Sequence, residues 1–107
     1  MAEYGEWTRK GATLSDVTAQ KEYGVDRDFV VQGIRASKLD YRHGSMRGNP
    51  YLKVLRRELE AYISEELGVD YLATRKEETE LRQVNKEIAS LKRKLKELEA
   101  RKAELEA

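Results

Sequence analysis

The sequence predicts a mainly α-helical fold with one small β element and a long C-terminal coiled-coil helix. Two short helical patterns, each preceded by a capping residue, stand on either side of Gly24. A stretch of alternating apolar and polar residues follows near residue 40, which is typical of a β-strand. Residues 70–107 contain neither Gly nor Pro, and their apolar residues recur at heptad spacing.

These patterns divide the 107 residues into three segments. Residues 1–12 contain two glycines and no hydrophobic period, and we expect a flexible leader in which Trp7 either docks or is a simple packing or surface residue. Residues 13–68 hold most of the aromatic and β-branched residues and form the predicted folded domain. Residues 69–107 form the predicted coiled-coil dimerisation helix. This length allows one small globular domain with an extended segment.

The first two helices are predicted from their caps. Ser15 offers an N-cap oxygen, and Gly24 ends the helix that follows. Asp26 then caps a second helix, in which Gly33 either permits close packing or marks an early end, at a cost of about 1 kcal/mol relative to Ala. The buried side of the second helix is predicted to consist of Phe29, Val30 and Ile34, with Val31 as a candidate fourth member.

The stretch after the second helix predicts a strand and a further helix. Leu39, Tyr41 and His43 alternate with polar residues, so residues 38–43 suit a strand that is exposed on one side. Residues 44–48 have the composition of a loop. Asn49–Pro50 then resembles a helix start, although a return strand over 51–53 with a helix from Arg56 competes with it. We favour the earlier helix start slightly.

The hydrophobic core is predicted from the apolar residues of these elements. The expected members are Leu14, Val17, Val25, Val30, Ile34, Leu39, Leu55, Leu59 and Ile63.

The heptad pattern predicts a dimer through the last helix. Lys102 is its one polar core position, at an a site. The apolar seam consists of Leu81, Val84, Ile88, Leu91, Leu95, Leu98 and Leu105. Charges at the flanking positions attract in both parallel and antiparallel pairs, and such surface pairs contribute only ~0.2–1 kcal/mol each. In a parallel pair Lys102 would face Lys102 of the second copy, whereas in an antiparallel pair it would face Val84 and its charge could reach solvent. We therefore favour the antiparallel homodimer.

The charge is unevenly distributed, although the formal net charge is only +1. Between residues 35 and 57 seven basic residues are opposed by Asp40 alone, which gives this stretch a charge of about +6. Clustered Lys and Arg attract a phosphate backbone through Coulomb attraction and counterion release. The alternative is a solvated surface on which the cations serve solubility.

The order of the predicted elements is that of a small winged helix-turn-helix domain. Residues 14–27 and 30–39 are similar to the helix, Gly-Val turn, recognition helix and small-Lys-Leu run of the MerR/excisionase superfamily. Residues 58–63 resemble the helix that closes that fold. Lambda-type terminase small subunits share the compact winged domain followed by a charged helix. The DNA-binding domain of the XPA repair protein resembles this chain at 19–23 and 51–53, but its zinc module has no counterpart, because the chain has no cysteine.

The resemblance implies binding of double-stranded DNA, sequence-specific or structure-dependent. The second helix would enter the major groove, and the wing would contact the backbone or an adjacent groove. Antiparallel helices carry the dimer of MerR-type proteins, which agrees with the orientation favoured above. The candidate nucleic-acid-binding residues are Arg27, Gln32, Arg35, Lys38, Arg42, His43, Arg47, Asn49, Lys53, Arg56 and Arg57.

Other functions are less well supported by the sequence. No phosphate loop, nucleophile elbow or metal-ligand cluster is present, so we expect no enzyme, no metal and no cofactor. No apolar run approaches the ~20 residues of a membrane span, and we expect a cytoplasmic, nucleoid-associated or nuclear protein. A structural or adaptor protein, whose winged domain binds another protein, remains the alternative, and RNA stays open as a ligand.

Overall fold

The computed structural model describes residues 4–107 and confirms a mainly helical chain with a small antiparallel sheet and a long C-terminal helix. The chain divides into two compact units between Lys76 and Glu77. A short 3₁₀ helix, Tyr4–Trp7, comes first. The remaining elements are β1 (Thr13–Ser15), α1 (Asp16–Tyr23), α2 (Arg27–Arg35), β2 (Tyr41–Met46), β3 (Asn49–Leu55), α3 (Arg56–Leu67) and α4 (Val69–Glu106).

The caps of α1 and α2 lie where the sequence predicts them. The Ser15 hydroxyl accepts a hydrogen bond from the Thr18 amide at 3.1 Å. Gly24, with φ of 73°, ends α1, and its amide donates to the Gln20 carbonyl at 3.0 Å. The Asp26 carboxylate accepts from the Phe29 amide at 2.9 Å, which starts α2 after a three-residue turn.

The predicted helix start at Asn49–Pro50 is wrong, and the competing return strand is the observed structure. β3 is the central strand of the sheet and pairs antiparallel with both β1 and β2. Val54 lies opposite Leu14 on one side and Tyr41 on the other, and α3 begins only at Arg56. A strand paired on both sides satisfies its backbone hydrogen bonds through distant residues, and this overrides the local Asn-Pro signal.

The predicted wing strand begins and ends later than expected. β2 starts at Tyr41, and the segment expected as a loop continues the strand to Met46. Only Arg47 and Gly48 form the turn, with φ of 54° and 82°. Positive φ at both central residues matches the twist of a two-residue hairpin turn. Gly44 allows the strand to continue, because a Cβ there would collide with the ring of Tyr51, its partner across the hairpin.

The core lies between the helices and one face of the sheet. Seven predicted core members are buried: Leu14, Val25, Val30, Leu39, Leu55, Leu59 and Ile63. Ile34 is only half-buried and packs at the edge of the core. The prediction that Val17 belongs to the core is wrong, because 55% of its surface is exposed. The inward face of α1 is formed instead by Asp16, Ala19 and Tyr23, which follow helical spacing.

Gly33 permits close packing inside α2. A Cβ at this position would lie 2.7 Å from Cδ1 of Leu39 and 2.9 Å from Cε2 of Tyr62. The ring of Tyr62 also packs against that of Phe29, with centroids 4.8 Å apart. The helix therefore continues through Gly33, and the alternative of an early helix end is wrong.

The expected leader packs on the domain over its described part. Trp7 is buried, with 6% of its surface exposed, and the Glu6 side chain is buried beside it. The Ala12 carbonyl accepts from the Arg56 amide at 2.8 Å, which fixes the end of this segment. Residues 1–3 of the expected leader lie outside the described residues.

The first turns of α4 belong to the folded unit rather than to the coiled coil. Tyr71 and Leu72 pack against the core, and the Tyr71 hydroxyl donates to the Tyr23 carbonyl at 2.7 Å. The folded unit therefore extends beyond the boundary at 68 that the sequence suggested. No helix in the described part of the chain is long and apolar enough to cross a bilayer.

The second unit is the remainder of α4, a single continuous helix. All seven apolar residues of the heptad seam are exposed in the single chain, with 44–76% of each residue's surface accessible. A helix of this length with an apolar stripe has no core of its own to cover that stripe.

We predict that Ile63→Ala lowers the free energy of unfolding by ~2–5 kcal/mol, because Ile63 is fully buried and its removal leaves a cavity. Val17→Ala should change it by less than ~0.5 kcal/mol, as expected for an exposed side chain. Urea denaturation followed by circular dichroism measures both changes. A large loss for Val17→Ala would contradict the assignment of the α1 face.

Candidate nucleic-acid interface

The exposed face of α2 carries polar side chains one helical turn apart. Asp28, Gln32 and Arg35 all lie on this face and are exposed. Arg35 makes no ion pair or hydrogen bond through its side chain with any residue that the structure describes. This face thus offers an amide and a guanidinium to an external ligand.

Arg27, at the start of the same helix, is held by the domain itself. Its Nη1 atom lies 3.3 Å from Oδ2 of Asp16, whose side chain is almost completely buried. The other oxygen of Asp16 accepts from the Leu52 amide at 3.0 Å. Arg27 therefore serves first to compensate a buried carboxylate.

The hairpin tip carries a second group of exposed polar residues. Arg47 and Asn49 are exposed at and beside the turn, and His43 is exposed on β2, where its ring meets that of Tyr41 edge-on at 5.4 Å. Within residues 4–107 the Arg47 side chain has no ion-pair or hydrogen-bond partner. Its charge is therefore available to an external anion.

Two basic residues of the hairpin contact Trp7. The guanidinium of Arg42 stacks over the indole, 4.5 Å from the ring centroid. The Lys53 ammonium donates to the Trp7 carbonyl at 3.4 Å. Arg42 and Lys53 lie opposite each other in the β2–β3 pair, so Trp7 occupies the face of the sheet that they share. Neither contact cancels a charge, but both fix the side chains on the protein.

Arg57 forms a bidentate ion pair with Glu6. Its Nε and Nη2 atoms donate to the two Glu6 oxygens at 2.6 and 2.9 Å. This hydrogen bonding from Arg57 holds the pKa of Glu6 below its usual value of 4.5. The same pair raises the pKa of Arg57. The expected nucleic-acid contact at Arg57 is thus occupied by an internal carboxylate.

Arg56 is the centre of a structural network. Its Nη1 atom donates to Glu22 at 2.6 Å and to the Tyr23 hydroxyl at 2.7 Å, and its Nε donates to the Gly11 carbonyl at 2.9 Å. The Tyr23 hydroxyl in turn donates to Glu60 at 2.6 Å. The pKa of Tyr23 is raised well above its usual value, mainly by burial and to a smaller extent by this hydrogen bond to Glu60. Arg56 therefore joins α1, α3 and the N-terminal segment.

Lys38 pairs with Glu65 of α3 at 3.1 Å, with both side chains about half exposed. Of the seven basic residues between 35 and 57, Lys38, Arg56 and Arg57 have carboxylate partners, whereas Arg42 and Lys53 contact Trp7. Arg35 and Arg47 remain as the cations of this stretch without a partner among residues 4–107. Docking was one of the two alternatives that the sequence left open for Trp7, whereas the pairing of Glu6 with Arg57 was not predicted.

No group of three or more potential ligands that could hold a metal ion occurs among the described His, Asp and Glu residues. Comparison of the chain with protein-family models, with curated proteins and with solved structures gives no match.

We predict that Glu6→Gln weakens docking of the N-terminal segment at neutral pH and that this difference disappears in acid. Because the folded-state pKa of Glu6 is lowered, its ionised form stabilises the fold above about pH 4.5, and this stabilisation is lost as the pH falls through the lowered value. The measurement is the melting temperature from Trp7 fluorescence, at pH 7 and at pH 3. A Tm difference that is equal at both pH values would contradict the role of the Glu6 charge.

Proposed function

We propose that the protein is a winged helix-turn-helix that binds double-stranded DNA as a homodimer. The observation that carries this proposal is the position of the two unpartnered cations. Arg35 lies on the exposed face of α2, and Arg47 lies at the tip of the β2–β3 hairpin. These are the two elements, second helix and wing, through which such a domain contacts a duplex.

The exposed face of α2 is suited to base contacts. A Gln amide pairs with adenine through two hydrogen bonds, and an Arg guanidinium pairs with guanine or with a phosphate. Gln32 and Arg35 lie one turn apart, so both can face the same groove. Asp28 on the same face lowers the local positive charge, which disfavours binding to phosphate alone.

The hairpin supplies the backbone contacts in this proposal. Arg47, His43 and Asn49 provide a charge and polar groups for phosphate oxygens. Arg42 and Lys53 contribute positive potential from behind the tip while they hold Trp7. Arg27, Lys38, Arg56 and Arg57 are assigned structural roles, because each is paired with a carboxylate.

Homodimerisation is proposed because the seam on α4 is exposed over four heptads. Apolar residues at a and d bury their surface when a second copy packs against them. A DNA-binding dimer then presents two equivalent domains to two half-sites. The antiparallel arrangement is preferred, since it places Lys102 opposite Val84 of the second copy, where its charge can reach solvent.

We predict that Arg35→Ala and Arg47→Ala each reduce duplex affinity. Each should also make the negative slope of log K against log salt shallower by about 0.9, the value for one lost phosphate contact. If Arg35 contacts a base, its replacement should instead reduce the preference among sequences with little change in slope. Fluorescence anisotropy with a mixed-sequence duplex, and then with a selected site, measures both quantities between 50 and 200 mM salt.

Arg93→Ala is the matched control for these variants, because Arg93 is exposed on α4 outside the seam. It should leave affinity and slope unchanged. Equal slopes for the wild type, Arg35→Ala and Arg47→Ala would remove the support for DNA binding and favour the adaptor role.

We predict that Leu81→Cys and Leu105→Cys crosslink to each other between copies but that Leu105→Cys crosslinks poorly to itself. An antiparallel pair centred between Leu91 and Leu95 brings the two positions together, whereas a parallel pair separates them. Oxidation of single and mixed variants, followed by non-reducing electrophoresis, distinguishes the arrangements. Efficient crosslinking of Leu105→Cys to the same variant in the second copy would show a parallel dimer.

A further inference from the structure

A groove of about 610 Å³ lies between α1 and the hairpin, and three of its lining residues, Arg47, Asn49 and Lys53, also belong to the proposed DNA surface. Its walls are formed by β1 and the first turns of α1 on one side and by the start of β3 on the other.

The floor of the groove is apolar. Val17 projects from α1 with 55% of its surface exposed, and Pro50 and Tyr51 face it from β3. The Tyr51 ring is backed by Gly44 across the hairpin, where a Cβ would collide with it. The ring therefore lies over Gly44 of β2, and Tyr51 borders the groove from that side.

The rim of the groove is cationic. Lys21, Arg47 and Lys53 contribute to the lining, and none of the described residues that line it is acidic. Positive charges around an apolar floor favour a ligand that carries carboxylates beside apolar side chains.

The backbone of the groove is closed to an added strand. β3 continues past the end of β1, but its Leu52 amide donates to Asp16 and Pro50 has no amide hydrogen. A peptide therefore cannot extend the sheet along residues 50–52. Nucleic acid is disfavoured too, because stacked bases need a series of aromatic side chains and the groove has Tyr51 alone among its lining residues.

We propose that this groove binds an acidic amphipathic helix of a partner protein. Two apolar side chains one turn apart rest on Val17 and Tyr51, and carboxylates beside them face Arg47 and Lys53. The proposal does not depend on DNA binding, although Arg47, Asn49 and Lys53 lie in both surfaces, so that helix and duplex compete for them.

The test is a selection of displayed random 15-residue peptides on the immobilised full-length chain. Enriched sequences are then synthesised with a fluorescein label and measured by anisotropy. We expect enriched peptides to be acidic and to carry apolar residues at i and i+3 or i+4. Val17→Asp should weaken their binding at least tenfold. An aspartate in the first turn of α1 is compatible with the helix dipole, so this variant is expected to fold.

Val69→Asp is the matched control, because Val69 is exposed over 71% of its surface, lies in the first turn of α4 and is outside the groove. It should leave peptide binding within twofold of the wild type. Arg35→Ala should also leave peptide binding unchanged, and Val17→Asp should leave duplex affinity unchanged, which separates failure of this proposal from failure of the DNA proposal.

Three results would overturn the proposal. The first is no enrichment above a protein-free surface, and the second is enrichment of neutral or basic peptides. The third is equal binding of the enriched peptides to the wild type and to Val17→Asp. A labelled 12-nucleotide single strand that binds the wild type and loses tenfold affinity for Val17→Asp would show nucleic acid to be the occupant instead.

Discussion

The carboxylate of Asp16 determines how the helix pair sits on the sheet. It is buried at the start of α1, and it accepts from the Leu52 amide at 3.0 Å and from Arg27 at 3.3 Å. A buried carboxylate is costly unless both of its oxygens have donors, so these contacts hold α1, β3 and α2 in one arrangement. Beyond the end of β1, the Asp16 carboxylate also accepts the hydrogen bond from Leu52 that a neighbouring strand would otherwise accept. The groove beside α1 exists because the sheet stops there.

Internal ion pairs redistribute the positive charge that the sequence concentrates between residues 35 and 57. Glutamates from three separate segments, Glu6, Glu22 and Glu65, pair with cations of this stretch. A local charge of about +6 therefore overstates the number of cations free to meet a ligand. The cations of this stretch that remain without a partner among the described residues lie on α2 and at the hairpin tip, so the positive charge is restricted to two places on the domain.

The parts of the fold that the sequence predicted well depend on short-range physics. The caps at Ser15 and Asp26 and the heptads of α4 involve residues within one or two turns of each other, so their patterns are visible in the chain. The helix start at Asn49–Pro50 was wrong because pairing with β1 and β2, at long sequence separation, decided the outcome.

The candidate site was predictable only in part for the same reason. Gln32, Arg35, His43, Arg47 and Asn49 are exposed, as a ligand-binding role requires. The pairing of Arg57 with Glu6 spans 51 positions of the chain, and no local pattern reveals it. Val17 likewise looked like a core residue by composition alone, and only the packing of α1 through Asp16, Ala19 and Tyr23 shows that it faces outward.

The backbone of Arg47 has a consequence for how the sequence can change over time. A non-glycine residue with φ of 54° in a two-residue turn is less favourable, by about 1 kcal/mol, than the Asn or Gly that such turns prefer. Selection for stability alone would therefore replace this arginine. If ligand binding is not selected for, substitutions should accumulate early at position 47. Asn and Gly should be the residues that replace the arginine. If Arg47 binds a ligand as proposed, folding stability and ligand recognition therefore favour different residues at this position.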